Sequence, residues 1–128
     1  MTNVIPKILF RSARPGYDGK EVSQAEVDAW IAKAKAHGIQ TILCLLDDPQ
    51  LAFYTAVPGG LLDYYRQAGF AVIARPVKDY QFPEVSSGML ATVHADFLGA
   101  AKPLLVHCSA GIVRTGAVIR HLLRKHCE

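Results

Sequence analysis

An α/β fold, built on a central, mainly parallel sheet flanked by helices, is predicted by two observations. Strand-like and helix-like runs alternate along the chain, and the strand-like runs IQTILCLL and PLLVH are apolar at nearly every position rather than at every second one. A strand without a polar face is buried on both sides, as in a parallel sheet covered by helices. With 128 residues, 51% of them hydrophobic, the chain has enough material for one compact domain, 1–128, with a real core, and too little for two.

The elements follow in order. Ile8 to Phe10 is a short apolar run ahead of the turn-rich RSARPGYDGK, and reads as a strand and a loop. Ser23 opens SQAE, a capping box with Glu26, and Val27, Trp30, Ile31 and Ala34 keep helical spacing up to Gly38. IQTILCLL, rich in branched side chains and closed by DDP, is a buried strand. A helix from about Leu61 to Ala68 stops at Gly69, and FAVIA forms the next strand, running into Arg75-Pro76 and the loop VKDYQFP. From Ser86 or Ser87, the residues Met89, Leu90, Val93, Phe97 and Leu98 mark one face of a third helix. PLLVH is a strand, and Thr115 to about Lys125 a final helix.

Composition narrows the function classes. The net charge of +3 is modest and its lysines and arginines are scattered among acidic residues, which suits a small anionic substrate better than a nucleic-acid track. No long apolar core with a cleavage site opens the chain, and no stretch approaches the roughly 18 apolar residues of a membrane span, so a soluble cytoplasmic protein is expected. Cys44, Cys108 and Cys127 are too few and too widely spaced for a disulfide framework or a zinc site, and read as thiols. The histidines His94, His121 and His126 lack metal-ligand spacing.

In parallel α/β folds ligands sit at the carboxyl ends of strands. Three chemical segments, LLDDP, VKDYQFP and HCSAGIVRTG, directly follow strands and so are expected to meet at one edge. The third carries the strongest signal. Ser109, Ala110 and Gly111 are small enough for backbone N–H groups to turn around an anion, Ile112 and Val113 complete the loop, and the helix beyond directs its positive end to the same place. That field favours the thiolate of Cys108, a nucleophile that then needs no general base. Arg114 offers a planar fork for two phosphate oxygens, Thr115 a hydroxyl for the cysteine sulfur, and Gly116 room for packing. The plain alternative is a buried structural cysteine beside a surface arginine.

The pattern C-x5-R-[S/T] after a histidine resembles the signature of the protein tyrosine phosphatase superfamily, in its compact, dual-specificity-like branch. HCSAGIVRTG matches over nearly the whole motif and departs at Val113, where classical tyrosine phosphatases carry glycine. The resemblance implies a three-layer cysteine-phosphatase architecture and a phosphocysteine intermediate. It also implies phosphotyrosine, with phosphoserine or phosphothreonine besides, as substrate in proteins, and no metal or cofactor. It makes His107 a buried residue that bonds the loop backbone. Phosphoinositides fit less well, because SAGIV brings no basic residue into the loop.

Ester cleavage needs a proton for the leaving oxygen, and a carboxylic acid in an apolar loop supplies it. Asp79 is the candidate, in VKDYQFP ahead of Pro83, as in the acid loop of the compact phosphatases; Glu84 is the fallback, and Asp47 and Asp48 read as turn or cap residues. Tyr80 and Phe82 are expected to exclude water and stiffen the loop. Asp96 reads as solvated helix surface. Arg11 and Arg14, in FRSARP, either steer anions, support the active-site edge or are solvated at a strand end. Two other readings stay open: a phosphate-recognising binding module without turnover, and a rhodanese- or arsenate-reductase-type enzyme, which would share Cys108 and Arg114 but have no use for Asp79.

Overall fold

The computed structural model describes residues 1–127. Five strands form one sheet in the order β1-β2-β5-β3-β4: β1 (Thr2–Ile5), β2 (Leu9–Ser12), β3 (Thr41–Cys44), β4 (Ala71–Ala74) and β5 (Leu104–His107). β2, β5, β3 and β4 are mutually parallel, and β1 alone runs antiparallel, against β2. The expected mainly parallel α/β architecture is therefore observed. The β1 hairpin went unanticipated because its four residues carry no burial pattern: Thr2 and Asn3 are exposed, and Lys7 turns the chain at φ 65°.

Helices cover both faces: α1 (Gln24–Ala36), α2 (Asp48–Leu51), α3 (Leu61–Gln67), α4 (Ser87–Gly99) and α5 (Val113–His126). The two central strands show why their sequences have no polar face. On β3, Ile42 and Cys44 join Phe10, Leu105 and the buried sides of α1 and α3 in one core. Leu43 and the following Leu45 join Leu9, Leu104, Val106 and the buried sides of α4 and α5 in the other. Successive side chains leave a strand on opposite faces, so a sheet with a core on each side needs hydrophobic residues at every position.

Local sequence sets the helix starts. Ser23 accepts from the Glu26 N–H and the Glu26 side chain accepts in return, the expected capping box, and Ser86 caps α4 from the Met89 N–H. α2 and the 3-10 turn Ala52–Tyr54 were not foreseen, although the cap role read for Asp47 holds: its side chain accepts from the Gln50 N–H. α5 begins two residues earlier than expected, at Val113, and no side chain caps it. Its first-turn N–H groups are thus left without a side-chain partner, at the end of the helix where anions are favoured. Among the described residues no helix is long and apolar enough to cross a membrane.

Candidate active site

The three segments do meet. A cavity of about 550 Å³ at the carboxyl edge of the sheet is lined by Gln50 after β3, Asp79 and Tyr80 after β4, and Cys108, Ser109, Ala110, Val113 and Arg114 after β5. Arg14, Tyr17, Asp18, Lys20 and Phe53 complete its lining.

Arg114 is the largest fully buried side chain among the described residues, and so is not a surface arginine. A buried guanidinium must be paired and hydrogen-bonded, and this one is. Nη1 donates to Val77 O at 2.9 Å, Gln50 Oε1 at 2.9 Å and Leu45 O at 3.4 Å, while Nη2 donates to Asp79 Oδ2 at 3.1 Å. Nε has no partner among the described residues, so one buried cationic donor remains to be satisfied. Asp79 also accepts from Gln50 Nε2 at 3.2 Å and, through Oδ1, from the Tyr80 N–H at 3.1 Å. Glu84, the fallback acid, does not line the cavity.

The remaining loop residues divide. Ser109, Ala110 and Val113 line the cavity, whereas Gly111 is buried against the backbone of Ser12 and Ala13 and Ile112 faces solvent at 66% exposure. Gly111 sits at φ 75°, and a Cβ there would stand 2.5 Å from Ser12 O. The loop therefore needs glycine both for its conformation and for its close contact with the end of β2. Thr115 is fully buried and its hydroxyl has no hydrogen-bond partner among the described residues, so the expected bond to the Cys108 sulfur is not formed here. Phe82 is 93% exposed and Tyr80 is 99% exposed, at φ 57°, so neither ring shields Asp79 from water as the sequence suggested.

His107 occupies the buried position anticipated for it. Its Nδ1 lies 3.1 Å from Cys108 O and its Nε2 3.0 Å from the Tyr65 hydroxyl. A carbonyl only accepts, so Nδ1 carries the proton and Nε2 receives the tyrosine O–H. Trp30 and Tyr65 pack their rings on the imidazole. Burial, with smaller contributions from Arg114 and Arg14, pushes its pKa down to about 4, so the ring stays neutral.

Arg11 and Arg14 resolve in favour of support. Arg11 Nη2 donates to Gly111 O at 2.8 Å, and Arg14, 5% exposed, bonds Ser109 and several carbonyls. Asp96 is a further correction: it holds Arg75, at the foot of the acid loop, through two hydrogen bonds of 2.7 and 2.9 Å. Cys44 packs among Phe10, Tyr54 and Tyr65 in the core on the α1 side, and burial pushes its thiol up to about 12, whereas Cys108 belongs to the core on the other face. Gln50 was missed by sequence reasoning. No residue of LLDDP lines the cavity; the helical turn after Asp47 brings the next residue, Gln50, into it.

A family model described as polymorphic toxin system, DSP-PTPase phosphatase, matches residues 19–128. The chain belongs to this DSP-PTPase phosphatase family. No sequence among the curated proteins matches it. Solved structures share the fold of this phosphatase at low identity. A DUF442 protein of Shewanella putrefaciens CN-32, to which a phosphatase role has been ascribed, is 19% identical with a TM-score of 0.69 over 99% of this chain and 68% of that one. Kinase associated phosphatase (KAP), with its catalytic-site cysteine replaced by serine, is 22% identical with a TM-score of 0.63, over 86% and 63%. TpbA of P. aeruginosa, a cysteine-to-serine variant in complex with phosphotyrosine, is 20% identical with a TM-score of 0.56, over 87% and 54%.

Proposed function

We propose that this phosphatase hydrolyses phosphotyrosine through a phosphocysteine intermediate, with Cys108 as nucleophile, Arg114 as phosphate clamp and Asp79 as general acid. The observation that carries the reading is the 3.1 Å contact between Arg114 and Asp79, 35 positions apart in sequence, in the wall of the cavity that Cys108 also lines. A sulfurtransferase or arsenate reductase has no need of that carboxylate, and neither has a module that only binds.

In the first step the Cys108 thiolate attacks phosphorus, the bond from phosphorus to the ester oxygen breaks, and Asp79 gives its proton to the departing oxygen. The loop of Ser109, Ala110, Gly111, Ile112 and Val113, with the uncapped start of α5 and the free Nε of Arg114, stabilises the equatorial oxygens. In the second, water attacks phosphorus, Asp79 takes a water proton, and the sulfur–phosphorus bond breaks to return the thiolate, with Thr115 assisting the sulfur. Nucleophile, clamp and acid are all side chains, so the proposed chemistry calls on no cofactor.

Tyr17, Phe53 and Tyr80 line the cavity and suit a flat aryl ester, and TpbA, which shares the fold, was solved with phosphotyrosine. Turnover of para-nitrophenyl phosphate and of phosphotyrosyl, phosphoseryl and phosphothreonyl peptides tests the reading. Loss of all activity in Cys108→Ser, a fall of at least about 100-fold in Asp79→Asn and inhibition by vanadate are expected. Tight phosphopeptide binding by wild type without turnover would replace this reading by the binding module.

A further inference from the structure

One uncharged side chain touches both charged groups of the site. Gln50 Oε1 accepts from Arg114 Nη1 at 2.9 Å, and Gln50 Nε2 donates to Asp79 Oδ2 at 3.2 Å. The amide has only one way to sit there, because a guanidinium has no acceptor and a carboxylate no donor.

The backbone beneath Gln50 is held independently of the site. It lies in the single turn of α2, its N–H bonded to Asp47 Oδ1 at 3.2 Å and to Asp47 O at 3.1 Å, with Pro49 beside it in the first turn. Asp79, by contrast, lies on a loop flanked by the exposed Lys78 and Tyr80. The fixed residue therefore positions the loop residue.

The proposed reaction asks Asp79 to hold one place in two protonation states, acid before the ester bond breaks and carboxylate after. A cation beside it favours only the ionised state. An incoming phosphate dianion also competes with Asp79 for the donors of Arg114. An amide N–H is suited to both states, since a protonated carboxyl keeps lone pairs to accept it.

We propose that Gln50 is a positioning residue, which keeps the carboxyl of Asp79 aimed at the leaving oxygen in the first step and at the attacking water in the second. This role rests on the phosphatase reading above, and its test separates the two. The probes are aryl phosphates of graded leaving-group acidity, given to wild type, Gln50→Met, Gln50→Glu, Asp79→Asn and the double variant Gln50→Met/Asp79→Asn, with thermal unfolding as the folding control.

Both Gln50 variants lose the donor to Asp79. They are expected to cut kcat/KM, which reads the first step alone, by about 10- to 100-fold for poorly acidic leaving groups and only a few-fold for the most acidic, which depart without a proton. The double variant is expected to be no slower than Asp79→Asn alone, since Gln50 acts through Asp79. A uniform loss across leaving groups, no loss at all, or independent multiplying losses in the double variant would overturn the proposal while leaving the phosphatase standing. Should Gln50→Met not fold, Gln50→Glu carries the leaving-group comparison. Wild type inert toward the whole series overturns the phosphatase reading, and the role of Gln50 with it.

Discussion

Arg14 holds Ser109 twice, through its own N–H to Ser109 O at 2.8 Å and through Nε to Ser109 Oγ at 3.1 Å. The loop after β5 is thereby fastened to the loop after β2 by a side chain that also gives Nη1 to Gly16 O and the Tyr54 hydroxyl and Nη2 to Tyr17 O and Gly19 O, with its guanidinium carbon 4.9 Å from the centre of the Phe53 ring.

Such a residue is a brace rather than a lure for anions. Arg14→Ala strands the buried Tyr54 hydroxyl and several part-buried acceptors at once; an unsatisfied buried group costs about 1–3 kcal/mol, and water reaching the part-buried ones reduces the sum. A destabilisation of about 3 kcal/mol is expected from urea unfolding, together with a fall in kcat. Arg14→Lys recovers only part of either, because a single ammonium cannot reach acceptors spread around a planar fork. A variant of wild-type stability would show that the brace is not needed.

His107 makes stability depend on pH. Its pKa is about 4 in the folded protein and 6.5 when the ring is free, so between those values the unfolded chain takes up a proton that the folded one does not. Stability is then fully present above pH 6.5 and falls as pH drops toward 4, by at most about 1.4 kcal/mol per pH unit and roughly 3 kcal/mol in all. Urea unfolding at intervals from pH 7.5 to 4.5 measures the slope, and His107→Asn, which keeps a donor but does not titrate, isolates it. Parallel curves for the two proteins would contradict the burial of a neutral imidazole.

The two glycines that flank Arg114 should behave differently. Gly111→Ala meets both a positive φ and a backbone oxygen 2.5 Å from the new Cβ, so the loop or β2 must move. A loss of at least about 100-fold in kcat/KM is expected from a displacement approaching 1 Å. Gly116→Ala places its Cβ 3.2 Å from the flexible end of Arg120, within a helix where alanine is favoured over glycine by roughly 0.5–1 kcal/mol. Activity within a few-fold of wild type and an unchanged or higher unfolding midpoint are expected, as read from kinetics and thermal melts of the two variants side by side.

Much of this protein was legible locally. The capping box at Ser23, the doubly buried runs of β3 and β5, and the spacing of Cys108 and Arg114 on one loop all depend on residues close in sequence, whose periodicity and side-chain chemistry declare their surroundings. The placement of Asp79 after a strand also followed from the order of elements, because parallel strands bring their carboxyl ends to one edge. Gln50, the fastening of Ser109 by Arg14, and the contact of Gly111 with Ser12 did not. Each joins segments tens of residues apart, through side chains whose partners depend on the order in which strands pair and on a single helical turn at Asp48–Leu51. Short-range pattern determines which face of a strand or helix is buried. Which polar groups are left facing one another at the end of the sheet is decided only when the whole chain has packed, since each buried donor there must find its acceptor across the fold.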